Sequence, residues 1–376
     1  MSRRRFMKSA ATAAVVGAAA ALPGCGEGPG ARRRSETSGR RTQVRWRLAS
    51  SFPRSLDILY GAAERLADRV RALTDGSFEI KPYQAGELVP PLEVLDAVGR
   101  GSVEMGHSAG YYFIGKNPAL AFDCTVPFGL TARQQNAWMY HGGGLELLRP
   151  LFADFNVLNF PGGNTGVQMG GWFRDPIESL ADLGGRKMRI PGLGGTVMEQ
   201  LGMTAQVIPG GDVYIALERG SIDAAEWVGP HDDVKLGLHE VAKNYYYPGW
   251  WEPGAMLSYY VNRDAYAKLP EEYKAALEAA CAESNVTMLA GYDVKNVAAL
   301  RTIRAAGVTL RPFPDDLMIA ARDASLALMS DQAAADPAYR KVHASFATWQ
   351  KESASWFAQA EETYTEFVFA GDERGD

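Results

Sequence analysis

Hydrophobic and polar residues alternate over Val44-Arg45-Trp46-Arg47-Leu48-Ala49, the pattern of a strand with one buried face. Between residues 57 and 74 the period changes. Leu59, Ala62, Leu66, Val70 and Leu73 recur three and four apart, which predicts an amphipathic helix. Thr74-Asp75-Gly76 then reads as a turn into a second strand, Phe78–Tyr83. Strands alternating with helices predict α/β layers. Further on, Met188 and Ile190 flank Arg189 as in a short strand. The glycines after it read as a turn, with a helix starting at Thr196–Leu201. Trp349, Trp356, Phe357, Ala360, Tyr364 and Phe367 keep helical spacing near the end of the chain.

A weak internal repeat sets the architecture. Residues 89–104 (VPPLEVLDAVGRGSVE) align with residues 208–223 (IPGGDVYIALERGSID). Each copy reads as a capped helix, an Arg-Gly-Ser stop and a strand. One copy per lobe predicts two similar α/β lobes with a cleft between them, the geometry of a hinge-closing binding protein. In open α/β sheets, ligands sit beyond the carboxyl ends of strands. The first copy leads to His107 and Tyr112, the second to Glu226 and Trp227. Tyr112 and Glu226 are therefore candidates for opposite cleft walls, with His107 at the position equivalent to Glu226.

The first 25 residues stand apart. Arg3, Arg4, Arg5 and Lys8 precede a short apolar run, Ala10 to Leu22, and then Leu22-Pro23-Gly24-Cys25. A basic start, a short apolar stretch and a small-residue site make a targeting segment rather than a structural helix. The string around Arg3-Arg4-Arg5 resembles the twin-arginine export signal, and Leu-Pro-Gly-Cys resembles a lipobox, which implies lipid on Cys25. Residues 26–43 have the Gly, Pro, Ser and charge of a linker, and disorder is expected there. No later segment has 18 uninterrupted apolar residues.

Charge narrows the partners. The formal net charge is −5, and residues 1–24 carry four basic groups and no acid, which leaves about −9 on the rest. An acidic body argues against nucleic acid. Apart from Cys25, the cysteines are Cys124 and Cys281, expected as buried thiols rather than a disulfide.

The candidate chemistry is polar and non-catalytic. Arg189 at a strand end can fork a carboxylate or make a surface salt bridge. The run Gly162–Trp172 offers glycines that let backbone approach a ligand, with the amides of Asn164 and Gln168; a plain glycine loop is the other reading. Glu226, Glu252 and Gln168 are oxygen donors, suited to Na⁺ or Ca²⁺ rather than zinc if they converge. No G-x-S-x-G, P-loop, H-E-x-x-H or C-x-x-C motif is present. The histidines are expected at the surface or hydrogen-bonded.

From about Trp46 to Phe367 the chain resembles the solute-binding proteins of TRAP (tripartite ATP-independent periplasmic) transporters, and most closely their 2-oxo-acid-binding branch. The strings that carry the likeness include ASSFPRSLD (49–57), GELVP (86–90), VPFGL (126–130), the Gly163–Arg174 run, AEWVGP (225–230) and YYPGWWE (246–252). The resemblance implies a two-lobed periplasmic-binding-protein-like fold closing on a small carboxylate such as pyruvate, which is then delivered to membrane permease subunits. It implies residues 44–165 plus 258–305 in lobe I, residues 166–257 plus 306–348 in lobe II, and a C-terminal helix over 349–370. That helix would swap in a homodimer.

By the same resemblance, Arg189 clamps the carboxylate, and Tyr112 and Asn164 hydrogen-bond the ligand. A bridging Na⁺ or Ca²⁺ is held by Gln168, Glu226, the backbone oxygen of Trp227, and Glu252. Trp172, Trp227, Trp250 and Trp251 would wall off water. Arg189→Ala is expected to abolish binding and spare the fold. Competing readings are the same fold binding lactate or another hydroxy or sugar acid, and an exported metal-assisted lyase.

Overall fold

The computed structural model describes residues 42–372. The export segment, Cys25 and the linker up to residue 41 lie outside the described residues. The strands are β1 (Val44–Ser50), β2 (Phe78–Tyr83), β3 (Met105–Ser108), β4 (Val157–Asn164), β5 (Trp172–Phe173), β6 (Lys187–Arg189), β7 (Thr204–Gln206), β8 (Ala224–Ala225), β9 (Asn244–Tyr247), β10 (Met256–Asn262) and β11 (Thr309–Pro312). They form two sheets, in the orders β2-β1-β3-β10-β4 and β11-β9-β5-β8-β6-β7. The chain leaves the first sheet after β4, returns for β10 and crosses again to β11. These two sheets, each with its helices, make the two lobes of an α/β protein.

The repeat is visible in the backbone. Its helices are Val94–Gly99 and Gly210–Glu218. Both stop at a left-handed glycine, Gly101 with φ +72° and Gly220 with φ +69°. Ser102 N–H donates to the Ala97 oxygen at 2.9 Å and Ser221 N–H to the Ala216 oxygen at 3.0 Å, closing both helix ends in the same way. The strands that follow, β3 and β8, lie inside their respective sheets.

Several local expectations change. The helix after Arg189 runs over Gly192–Gln200, so its glycines lie in the first turn and not in a preceding loop. A Cβ on Gly194 would fall 2.7 Å from Trp251 Cβ, and one on Gly195 2.8 Å from the Ile190 oxygen. Close packing is what these glycines provide. The same holds for Gly162, Gly163 and Gly170, whose Cβ positions would fall within 2.2–2.3 Å of Tyr259, Met288 and Phe313 side-chain atoms. They admit core side chains rather than a ligand.

The C-terminal helix begins at Pro337, twelve residues before the expected start, because Asp336 caps it by accepting from the N–H groups of Ala338 and Tyr339. Helical structure continues through a π-helical stretch, Ala358–Glu362, into Thr363–Asp372. Cys124 and Cys281 are buried free thiols. Among the described residues no helix is long and apolar enough to cross a membrane.

Candidate functional site

The site grows out of one strand pairing. β6 and β8 run parallel, with Arg189 opposite Ala225, so Arg189 and Glu226 emerge side by side at the carboxyl ends of their strands. Glu226 N–H donates to the Arg189 oxygen at 3.1 Å. The Arg189 guanidinium donates through Nη1 to the Glu226 backbone oxygen at 2.8 Å and to Glu226 Oε1, and through Nε to the Ile208 oxygen at 3.1 Å. Its carbon lies 4.7 Å from the centre of the Trp227 ring. Arg189 is 1% exposed and Glu226 fully buried, so this is an interior ion pair and not a surface salt bridge.

The glycine-rich loop supplies the facing wall. Gln168 N–H donates to the Glu252 oxygen at 3.1 Å, Gly249 N–H to the Gln168 oxygen at 2.8 Å, and Met169 N–H to the Val228 oxygen at 3.1 Å. Three separate chain segments are thereby fixed against one another. Gln168 Nε2 donates to Thr165 Oγ1 at 3.1 Å, which points the amide and leaves its Oε1 free. Arg189, Gln168, Tyr112 and Trp227 line one small cavity of about 10 Å³, room for about one water molecule, with Phe52, Leu59, Tyr111, Thr165, Val228, Ala255 and Leu257.

Three buried oxygens have no hydrogen-bond partner: Oε1 of Gln168, which lines the cavity, and Oε2 of Glu226 and of Glu252, which lie behind its lining. An unpaired buried acceptor is costly, and an unpaired buried carboxylate oxygen more so. Burial pushes the Glu226 carboxyl up, opposed by the Arg189 guanidinium. Burial, followed by the charge of Glu226, pushes Glu252 well above the usual carboxylate range, while Arg189 and hydrogen bonds from Tyr111 and Gln168 oppose it. Two carboxylates and an amide oxygen around one guanidinium form a hard, oxygen-rich donor set. That set fits Na⁺ or Ca²⁺.

Other expected residues take different places. Asn164 is spent on its own loop: Nδ2 donates to the Gly254 oxygen at 3.1 Å, and Oδ1 accepts from Gly166 N–H at 2.9 Å. In this structure it shapes the loop that carries Gln168. His107 is fully buried between Phe52 and Tyr259, with neither ring nitrogen hydrogen-bonded. It does not line the cavity, and burial, with a smaller contribution from Arg65, pushes it down to about 3.

Trp172 stacks on Tyr245 at 3.9 Å, Trp250 on Phe128 at 5.2 Å, and Trp251 packs edge-on to Phe313. Of the four tryptophans only Trp227 lines the cavity. The apolar wall of Phe52, Leu59 and Leu257 was not singled out from sequence. Its one signal was adjacency: Phe52 lies within the 49–57 string, and Tyr111 beside Tyr112.

Two α/β lobes with a buried arginine and unpaired buried oxygens around a small cavity at their strand ends have the architecture of a solute-binding receptor that closes on its ligand. The chain matches the model of the bacterial extracellular solute-binding protein family 7 over residues 49–336, and it belongs to that family. These are the extracytoplasmic receptors of TRAP transporters, and the chain is such a receptor and not an enzyme.

A curated relative from Nostoc sp. is 48% identical over 368 residues, 98% of this chain and 99% of its own, and is a monocarboxylate 2-oxoacid-binding periplasmic protein. A TRAP solute-binding protein from Bordetella bronchiseptica shares 47% identity with a TM-score of 0.88, over 89% of this chain and 100% of that one. Its crystal structure is a mixed-occupancy dimer with calcium and picolinate in the active site. Another from Pseudoalteromonas atlantica, 40% identical with a TM-score of 0.84 over 86% and 99% of the two chains, holds sodium and pyruvate.

Proposed function

We propose that this receptor captures a small 2-oxo monocarboxylate such as pyruvate together with a Na⁺ or Ca²⁺ ion, and delivers it to a TRAP permease. The observation that carries this reading is the set of unpaired buried oxygens, Gln168 Oε1, Glu226 Oε2 and Glu252 Oε2, beside Arg189. A 2-oxo acid presents adjacent carboxylate and carbonyl oxygens that chelate one cation. Gln168, Glu226, Glu252 and the Trp227 backbone oxygen would hold that cation, which would supply positive charge to the ligand's oxygens. Arg189 would take the remaining carboxylate charge, with Tyr112, which lines the same cavity, completing the polar side.

Charge balance supports the same assignment. Ionised Glu226 and Glu252 with Arg189 leave one net negative charge, and the ligand adds another. Calcium cancels both and sodium cancels one. The related structures that hold calcium with picolinate and sodium with pyruvate are in keeping with this. Lactate or a sugar acid is the competing ligand class. A thermal-shift screen of small carboxylates with Na⁺, Ca²⁺ or chelator separates them, since stabilisation by a true ligand grows with its concentration. Pyruvate without effect beside a responsive hydroxy acid would contradict the 2-oxo assignment.

Three further features belong to this reading. Residues 44–165 plus 258–305 form lobe I, and residues 166–257 plus 306–348 form lobe II, with the cavity on the line between them. Twin-arginine export and lipid on Cys25 place the receptor at the membrane outside the cytoplasm. The C-terminal helix mediates a homodimer: Trp356, Tyr364 and Phe367 are 61–78% exposed on it.

A further inference from the structure

We propose that Asp57 is a latch that holds the two lobes closed over the bound acid. The inference rests on the reading above that the cavity between the lobes is where a small carboxylate is captured.

Arg189, Gln168 and Trp227 are 1–5% exposed, so no solute reaches them unless the lobes part. Parting must break whatever spans the line between them. Asp57 stands on that line, in the segment between β1 and the helix Leu59–Leu73, which gives Phe52 and Leu59 to the cavity. Its Oδ1 meets His231 Nε2 at 2.9 Å and Lys235 Nζ at 3.2 Å. Both side chains sit on the short helix Pro230–Lys235, directly after the Glu226-Trp227 wall. The other oxygen, Oδ2, meets Lys295 Nζ at 2.5 Å.

Lys295 belongs to the long helix Glu271–Ala305, which is fastened to the same short helix. Asn296 Oδ1 accepts from His231 N–H at 3.0 Å, and Tyr292 donates to Asp232 at 2.7 Å. One carboxylate from the first lobe thus meets two side chains of the second, His231 and Lys235, with Lys295 of its own lobe on its other oxygen. Burial acts to raise the Asp57 carboxyl, and the hydrogen bonds from Lys295, His231 and Lys235 outweigh it and hold it below its ordinary range.

Two properties suit this cluster to gating. It is water-accessible, with side-chain exposures of 42% for Asp57, 43% for Lys295 and 35% for Lys235, so it rehydrates at little cost when broken. It is also asymmetric. When the lobes part, Asp57 leaves with Lys295 of its own lobe, and Lys235 stays on the second lobe without its counter-charge, which favours the return of Asp57. The Arg189–Glu226 pair lies wholly on the second lobe and cannot act in this way.

Asp57→Asn removes the charge and keeps the side chain's shape and its suitability near a helix start. Stopped-flow release of pyruvate from the calcium-loaded protein should become about tenfold faster, as expected on losing the part-exposed contacts of Asp57 with Lys235 and His231 across the line. The ligand-free thermal midpoint should stay at the wild-type value. Asp57→Glu should restore part of the slow release. Release within a factor of two of wild type, or a loss of ligand-free stability with release unchanged, would overturn the latch. A wild type that gives no pyruvate signal would contradict the proposed ligand instead. In that case the separation between spin labels at Leu88→Cys and Val207→Cys decides: longer distances in Asp57→Asn support the latch, and an unchanged distribution overturns it.

Discussion

Arg189 and Glu226 form a buried ion pair in which one guanidinium nitrogen holds both the backbone oxygen and Oε1 of Glu226, while Oε2 of the same carboxylate is left without a partner. The pair neutralises one carboxylate oxygen and leaves the other buried and unpaired. A residue read from sequence as a ligand clamp is therefore also the counter-charge of the proposed cation ligand.

That double role changes what Arg189→Ala should do. Breaking a buried pair leaves Glu226 uncompensated, at a cost of about 3–5 kcal/mol. The fold should lose stability along with binding, contrary to the expectation from sequence that it would be spared. Adding Glu226→Gln should return part of the stability and none of the binding. Urea unfolding of the single and double variants checks this, and wild-type stability in Arg189→Ala would contradict it.

His107 makes a pH prediction. Its folded value is depressed to about 3, against about 6.5 when unfolded, so between those values only the unfolded chain takes up the proton. Stability is fully present above pH 6.5 and is lost as pH falls toward 3. His107→Phe keeps the ring stack with Tyr259 and cannot be protonated. Relative to wild type it should gain about 2 kcal/mol between pH 6.5 and pH 5. Denaturant midpoints at the two pH values measure the gap, and a constant gap would show that His107 does not govern it.

The C-terminal helix predicts an oligomeric state. Phe367 and Trp356 are 78% and 61% exposed, large apolar surfaces that a monomer leaves in water. Sedimentation equilibrium should give a dimer for the mature chain and a monomer for a chain ending at residue 348. A monomeric full chain at micromolar concentration would remove the dimer from the account.

For the anchor, Cys25→Ser should move the protein from the membrane fraction to the soluble fraction. A variant still in the membrane fraction at high salt would mean that something other than lipid on Cys25 holds it there.

The fold was legible because periodicity and the repeat report backbone geometry directly. The Arg-Gly-Ser stops at Gly101 and Gly220 are left-handed in both copies, and only a few residue types tolerate that conformation. What sequence could not give was the partner of each polar side chain. Asn164 sits among candidate ligand-binding residues, yet its amide closes a loop through Gly254 and Gly166. His107 aligns with Glu226 in the repeat, yet packs between aromatic rings. The glycines before Trp172 mark close approach, and only coordinates reveal that core side chains do the approaching.

The most direct test of the central claim is calorimetric titration of pyruvate into demetallated protein at several calcium concentrations and fixed ionic strength. Pyruvate affinity should rise with calcium, and calcium affinity should rise by the same factor when pyruvate is present. Calcium binding should also release protons, because Glu252 is held well above the usual carboxylate range until a cation arrives. Glu226→Gln and Glu252→Gln should lose the coupling. A pyruvate affinity indifferent to both calcium and sodium in demetallated protein would contradict the account, and would make Glu226 a purely structural partner of Arg189.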